Sequence, residues 1–376
     1  EVWAGRAMHA FVSHWSASDV LRLVGEAPRW PESAHLLPPA KDCVSGQRDF
    51  RKCRIGERLD SLGLAARPVD LIVPAKSARS SGGLVRAHLW SGIVPQRSML
   101  DLGGGLLSCG AELIVIQLCS AQSKLDALLD AHASAVRAEA ELAAGLGLEE
   151  GPTIDHPLKW ERIRRLIAAA VVACEFAGTY RLPAGEKNVS YRASRLMSSA
   201  SLASAIAEMG ETSGTRRAAR VCDLTLEGSA SPMETVLGLM LTLPVEYGGF
   251  GIERPQLNCP VDVSSCREEG LADRDVVTPD FLWPEQRVAI EYDSDEFHAA
   301  RGAGQSARDA TRANILTTLG YRVFRATSRT VRAPEGVALL ARQISHALGI
   351  SLEPTTPLQE LRRRKLYLEL MPRTKA

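Results

Sequence analysis

Residues 276–298 read VVTPDFLWPEQRVAIEYDSDEFH. Thr278 to Trp283 and Arg287 to Asp293 are β-prone runs, and Pro284-Glu285-Gln286 between them fits a hairpin loop, so two paired strands are expected. Side chains alternate faces along a strand. Val288, Ile290 and Tyr292 therefore share an apolar face expected in the core, while Arg287, Ala289, Glu291 and Asp293 share the other. That second face places two carboxylates side by side, and the hairpin partner brings Asp280 to them. Like charges this close raise each other's pKa unless a cation neutralises them, and hard oxygen ligands suit Mg²⁺. A solvated or salt-bridged sheet edge is the competing reading of the same three acids. His298, five residues past Asp293, has the chemistry of a general base, its unperturbed pKa lying near neutrality.

Upstream, Ser231-Pro232-Met233-Glu234 reads as a helix start, with Ser231 as N-cap, Pro232 at the first helical position and Glu234 at the third position of a capping box. LNCPVDV then reads as a strand. Downstream, QSARDATRANILTTL (Gln305 to Leu319) is an amphipathic helix closed by Gly320. The strand YRVFRAT and a last helix from Glu335 to Leu348 follow.

The arrangement Pro279-Asp280 followed by Glu291-Tyr292-Asp293 resembles the PD-(D/E)xK nuclease motif, in which two strand carboxylates hold the metal that activates water. Asp293 stands where that motif has its lysine. The run PDFLWPEQRVAIEYDSDEFH resembles the very-short-patch-repair endonucleases, which lack the lysine and use a histidine after the second strand. The resemblance implies a metal-binding role for Asp280 and a catalytic one for His298, with Glu291 carried from the broader motif. It also implies a helix glutamate, Glu234, facing the metal. A large uncharacterised family of bacterial relatives shows the same Arg-Asp helix and following strand, which places Arg308, Asp309 and Arg312 near the site or the DNA backbone. The match covers about residues 229–332. More weakly, the order of VDLIVP, an HLW strand, a helical pair and this nuclease-like domain resembles the abortive-infection type IV antitoxin-like proteins. Those commonly begin with a winged helix, and no helix-turn-helix pattern is visible before Pro28.

The chain has 376 residues, enough for two to three domains, with 45 Lys plus Arg against 44 Asp plus Glu and a formal charge of +1. No global basic field announces nucleic acid, so such a partner must be met by a local patch. Eight cysteines without a CxxC pair predict reduced thiols in a cytoplasm. The longest apolar run, within LIAAAVVACEFAG, is too short to span a bilayer, and EVWAGRAMHAFVSHW lacks the order of a signal peptide. VDLIVP, LVRAHLW and AELIVIQL are expected as strands; Ser120 to Leu146 and Pro157 to Ala177 are expected as helices. The glycine-rich DLGGGLL fits no phosphate-binding spacing and reads as a loop. His88, His132, His156 and His346 lack partners at ligand spacing and read as structural.

The resulting expectation is an α/β chain in four parts. Residues 1–65 form a segment of unknown role, 66–228 an α/β and helical module, 229–350 a restriction-endonuclease-like domain with a mixed sheet flanked by helices, and 351–376 a basic tail. The expected function is Mg²⁺-dependent cleavage of DNA, with Mn²⁺ able to substitute. Asp280 and Glu291 hold the metal, Asp293, Glu234 and His298 serve catalysis, and Arg308 and Arg312 meet the nucleic acid. No membrane partner is expected, and a protein partner through 66–228 stays open. The competing expectation is an inactive nuclease-like regulator or antitoxin-like protein that binds DNA without cutting it.

Overall fold

The computed structural model describes residues 8–25, 27–80, 82–120, 157–185, 188–293, 312–352 and 354–371. The chain is mixed α/β and divides into two compact units, residues 1–122 with 165–225 and residues 123–164 with 226–376.

The first unit is built on a six-stranded sheet in the order β2-β5-β6-β1-β3-β4. Its strands are β1 (Ala10–Val12), β2 (Arg29–Trp30), β3 (Val69–Val73), β4 (Val85–Leu89), β5 (Met99–Asp101) and β6 (Leu106–Cys109). β1 pairs parallel with β6 and antiparallel with β3, and β3 pairs parallel with β4. All five residues of β3 are buried, Asp70 among them, as in a strand covered on both faces. The separate segment expected over 1–65 is thus corrected: β1 and β2 come from it, and β1 lies inside the sheet.

A second correction concerns AELIVIQL. Ala111–Cys119 is a helix started at Gly110, and all but one of its residues are buried. An apolar run of this length fits a buried strand and an all-round buried helix equally well. The Gly103-Gly104-Gly105 turn linking β5 to β6 has positive φ at all three residues, so DLGGG is a tight turn that glycine alone makes cheaply. The stretch after Ala200 forms two helices, Ser199–Met209 and Thr215–Leu224. Most of Ser120 to Leu146 lies outside the described residues.

Helix α1 (His14–Val24) follows β1 directly, and His14 enters it with a left-handed φ of 51°. There the His14 ring stacks on His88 at 3.9 Å between centroids. His14 Nδ1 lies 3.0 Å from Ser13 Oγ, and His88 Nε2 lies 2.8 Å from the buried Asp70 carboxylate. His88 is thereby tied into the fold. Elsewhere in the unit, Arg22 grips the buried Glu175 carboxylate with two nitrogens, at 2.9 and 2.7 Å.

The second unit begins at Leu226 and carries a four-stranded mixed sheet in the order β14-β13-β12-β9. After the two-stranded pair β7 (Tyr180–Arg181) and β8 (Ser190–Tyr191) of the first unit, β9 is Gln256–Leu257, β11 Val276–Val277, β12 Phe281–Trp283, β13 Val288–Asp293 and β14 Arg322–Thr327. β9, β12 and β13 form an antiparallel run, and β13 pairs parallel with β14 over six residues. A parallel partner requires a crossover, and the helix over 312–318 lies on that connection. LNCPVDV is split rather than continuous, into β9 and the two-residue strand β10 (Val261–Asp262), because Asn258 takes a left-handed φ and Pro260 follows.

Burial on both faces of β13 corrects the expected one-sided core. Val288, Ala289 and Ile290 are fully buried and Glu291 nearly so. Ala289 and Leu282 pack with Ile315 and Leu316 of the crossover helix and with Val263 and Val277. Trp283 is buried and donates its indole N–H to Glu253 O at 2.8 Å. The basic tail expected over 351–376 is likewise corrected, because Pro357–Leu370 within it is a helix packed into this unit. Arg363 lies over the Phe250 ring and Lys365 over the Trp160 ring, and both side chains are buried. No helix among the described residues is long and apolar enough to cross a membrane.

Candidate functional site

Ser231 caps the helix Pro232–Thr242, its hydroxyl accepting the Glu234 N–H at 3.2 Å. The Glu234 carboxylate turns back over that helix start. It accepts the Ser231 hydroxyl at 2.8 Å and the Ala230 N–H at 2.8 Å, one residue beyond the N–H of the usual capping box. A third donor, Asn258 Nδ2, reaches the same carboxylate at 2.7 Å and also donates to Gly228 O at 3.0 Å. Glu234 is thus both a cap and a buried acid.

Asn258 connects this helix to the sheet. Its backbone N–H donates to Asp280 O at 3.0 Å, extending the β9–β12 pairing by one step. Asp280 precedes β12 and faces β13 across the hairpin, where its Oδ2 accepts the Tyr292 N–H at 2.6 Å. That is the one hydrogen bond its carboxylate makes among the described residues. In the register that pairs Phe281 with Ile290, Asp280 stands opposite Glu291. Glu291 accepts Arg312 Nη2 at 2.7 Å, and its side chain is 4 % exposed against 29 % for Arg312.

The electrostatics follow from this convergence. Burial first, then the charges of Glu234 and Glu291, push the Asp280 carboxyl well above the usual carboxylate range, against the Tyr292 hydrogen bond and the Arg312 charge. Burial also raises Glu234 despite its three donors. Asp280 thus lies among like charges from Glu234 and Glu291, and a proton or a bound cation would relieve that repulsion.

The expected site residues divide into three groups. Glu234, Asp280, Glu291 and Arg312 come together. Asp293 ends β13 on the Glu291 side of the strand, half-buried, and its carbonyl lies 3.5 Å from Ser328 Oγ; its charge is not among those acting on Asp280. His298 and Arg308 lie outside the described residues, as does Asp309. Asn258 escaped sequence reasoning. Its only sequence signal is an Asn before Cys-Pro at a strand end, a position that tolerates left-handed backbone.

Among the described residues no group of three or more His, Cys, Asp and Glu side chains is placed to hold a metal ion. Mg²⁺, however, is commonly held by one or two carboxylates with water completing its shell. Asp280 and Glu291 fit that smaller requirement, since both are hard oxygen donors standing opposite each other across the hairpin. Glu234 does not, because three donors already occupy its oxygens. Comparisons with protein-family models, with curated proteins and with solved structures gave no match to this chain.

Proposed function

We propose that the second unit is a restriction-endonuclease-like domain that hydrolyses DNA phosphodiester bonds with Mg²⁺, Mn²⁺ substituting. The observation that carries this reading is the convergence of the Glu234 and Glu291 carboxylates on the buried Asp280, the three coming from separate places in the fold. Burying like charges together lowers stability, and strongly perturbed acids of this kind concentrate at functional sites. The order of helix, three antiparallel strands, crossover helix and parallel fourth strand agrees with the resemblance noted in the sequence. The mixed sheet supplies a rigid floor, with Glu291 within β13 and Asp280 just before β12, tied by hydrogen bonds to Asn258 and Tyr292.

In this reading Asp280 and Glu291 hold the ion, and Glu234 orients water beside them from its fixed place at the helix start. Asp293 assists as ligand or water-positioner. His298 takes the proton of the attacking water, and Arg308 and Arg312 meet the DNA backbone. A bound divalent ion supplies an acidified water and offsets negative charge developing on the phosphoryl oxygens.

One observation favours a second reading, an inactive nuclease-like regulator of the antitoxin-like type that binds DNA without cutting. Arg312 already neutralises Glu291, as an internal cation would in a site that has ceased to bind metal. Plasmid nicking with Mg²⁺, run beside metal titration in the presence of duplex DNA, separates the two. Nicking and metal binding that both vanish in an Asp280→Asn/Glu291→Gln double variant support the nuclease. Duplex binding without metal uptake or nicking by the wild type overturns it in favour of the regulator.

A further inference from the structure

Glu291 is nearly excluded from water, and its Oε2 is held by Arg312 at 2.7 Å. A divalent cation taking that carboxylate would sit beside a guanidinium in a site of low dielectric, where two positive centres repel strongly. Arg312 and the metal are therefore alternative counter-ions of one acid. The two partners differ in access, with Glu291 sealed at 4 % exposure and Arg312 partly exposed at 29 %. Of the pair, Arg312 is the side that an incoming anion meets first. A phosphodiester offers two unbridged oxygens that match the planar fork of arginine, and Arg–phosphate pairs are among the strongest charge-assisted hydrogen bonds.

We propose that Arg312 is an exchangeable counter-ion that keeps the acid site closed to divalent metal until a backbone phosphate draws it off Glu291. This deepens the nuclease reading and rests on it. Metal uptake and DNA binding are then coupled, and by linkage each raises the affinity for the other by the same factor. Asp280 shares in the exchange, because the Arg312 charge also acts on it. A site arranged this way does not hold a hydrolytic ion in the absence of substrate, which protects other phosphodiesters from chance cleavage.

The experiment is titration of Mg²⁺ into the full chain and into Arg312→Gln, each with and without a short duplex bearing a non-hydrolysable phosphorothioate backbone. Without DNA, Arg312→Gln should bind Mg²⁺ about tenfold more tightly than the wild type, and the duplex should tighten Mg²⁺ binding by the wild type alone. If Arg312→Gln unfolds, Arg312→Lys keeps the charge but loses the fork geometry, and it should bind Mg²⁺ more tightly than the wild type by a smaller factor. Equal or weaker Mg²⁺ binding by the folded variant, with uptake still abolished by Asp280→Asn/Glu291→Gln, overturns the exchange and leaves the nuclease reading standing. No Mg²⁺ uptake by either protein, with or without duplex, overturns both.

Discussion

Replacing His14 by asparagine should flatten the acid sensitivity of the first unit. Burial, together with the neighbouring His88 ring and the Arg86 charge, pushes the His14 imidazole down from 6.5 to about 3, against the opposing pull of Asp70. Its Nε2 is buried with no hydrogen-bond partner among the described residues. A base whose pKa is lower folded than unfolded stabilises the fold above the unfolded value and withdraws that contribution as pH falls below it. In the window from 6.5 down to about 3 the unfolded chain binds the extra proton, so stability drops with acidification by up to ~1.4 kcal/mol per pH unit. Between about pH 7.5 and about pH 5 the loss is about 2 kcal/mol, against a ceiling of about 5 kcal/mol if the whole gap were traversed. Burial raises the Asp70 carboxyl, but the His88 hydrogen bond and the charges of His88 and Arg86 hold it below its ordinary value, so it stays ionised through this interval. Asparagine suits the position because it accepts the left-handed φ of residue 14 and does not titrate. The assay is urea unfolding of wild type and His14→Asn at both pH values. The variant starts less stable, having lost the ring stack, but the drop between the two pH values should shrink by about 2 kcal/mol. An unchanged drop would refute the assignment of this proton to His14.

In the second unit, the Asp280 carboxyl is raised, so the folded state retains a proton that the unfolded chain releases, and stability falls as pH rises above the ordinary aspartate value. Asp280→Asn keeps an oxygen for the Tyr292 N–H, and in chelator it should be more stable than the wild type at about pH 8 by about 1–2 kcal/mol, with a smaller gap at about pH 5. Urea unfolding reads the difference, and a wild type more stable than the variant at both pH values would make Asp280 a structural acid. Ser231→Ala removes the N-cap and one donor to Glu234 and should cost about 1 kcal/mol, visible in thermal unfolding. At Gly249 an added Cβ would run into the Leu243 carbonyl and come within 2.7 Å of its Cβ. Gly249→Ala should therefore lower the denaturation midpoint by more than an exposed Gly→Ala change does, and an unaltered midpoint would show that the turn relaxes freely.

The β12–β13 hairpin, the Ser231 cap and the β14 strand were legible because each is written in neighbouring residues: a Pro-Glu-Gln turn, a Ser-Pro-x-Glu start, a glycine followed by an alternating run. Of the acids brought together, Glu234, Asp280 and Glu291 were all legible, since local elements carry them. What the sequence hid depends on distant partners. β1 is three residues, and it becomes a strand by pairing with residues 106–108 and with Leu71. Alternation marked the Ala289–Glu291 face as the polar one, yet Ile315 and Leu316 close over it. The basic run Arg362 to Lys365 read as a tail, whereas two of its cations are paired with aromatic rings that only the fold brings near.

The position of β1 also sets how the first unit can be assembled or cut. It is the single seam between a β2-β5-β6 ribbon and a β3-β4 pair. A chain shortened from its amino terminus past Val12 would keep most of its apolar residues yet leave two half-sheets with facing unpaired edges. The few residues of β1 supplied as a separate peptide would be the natural strand to rejoin them.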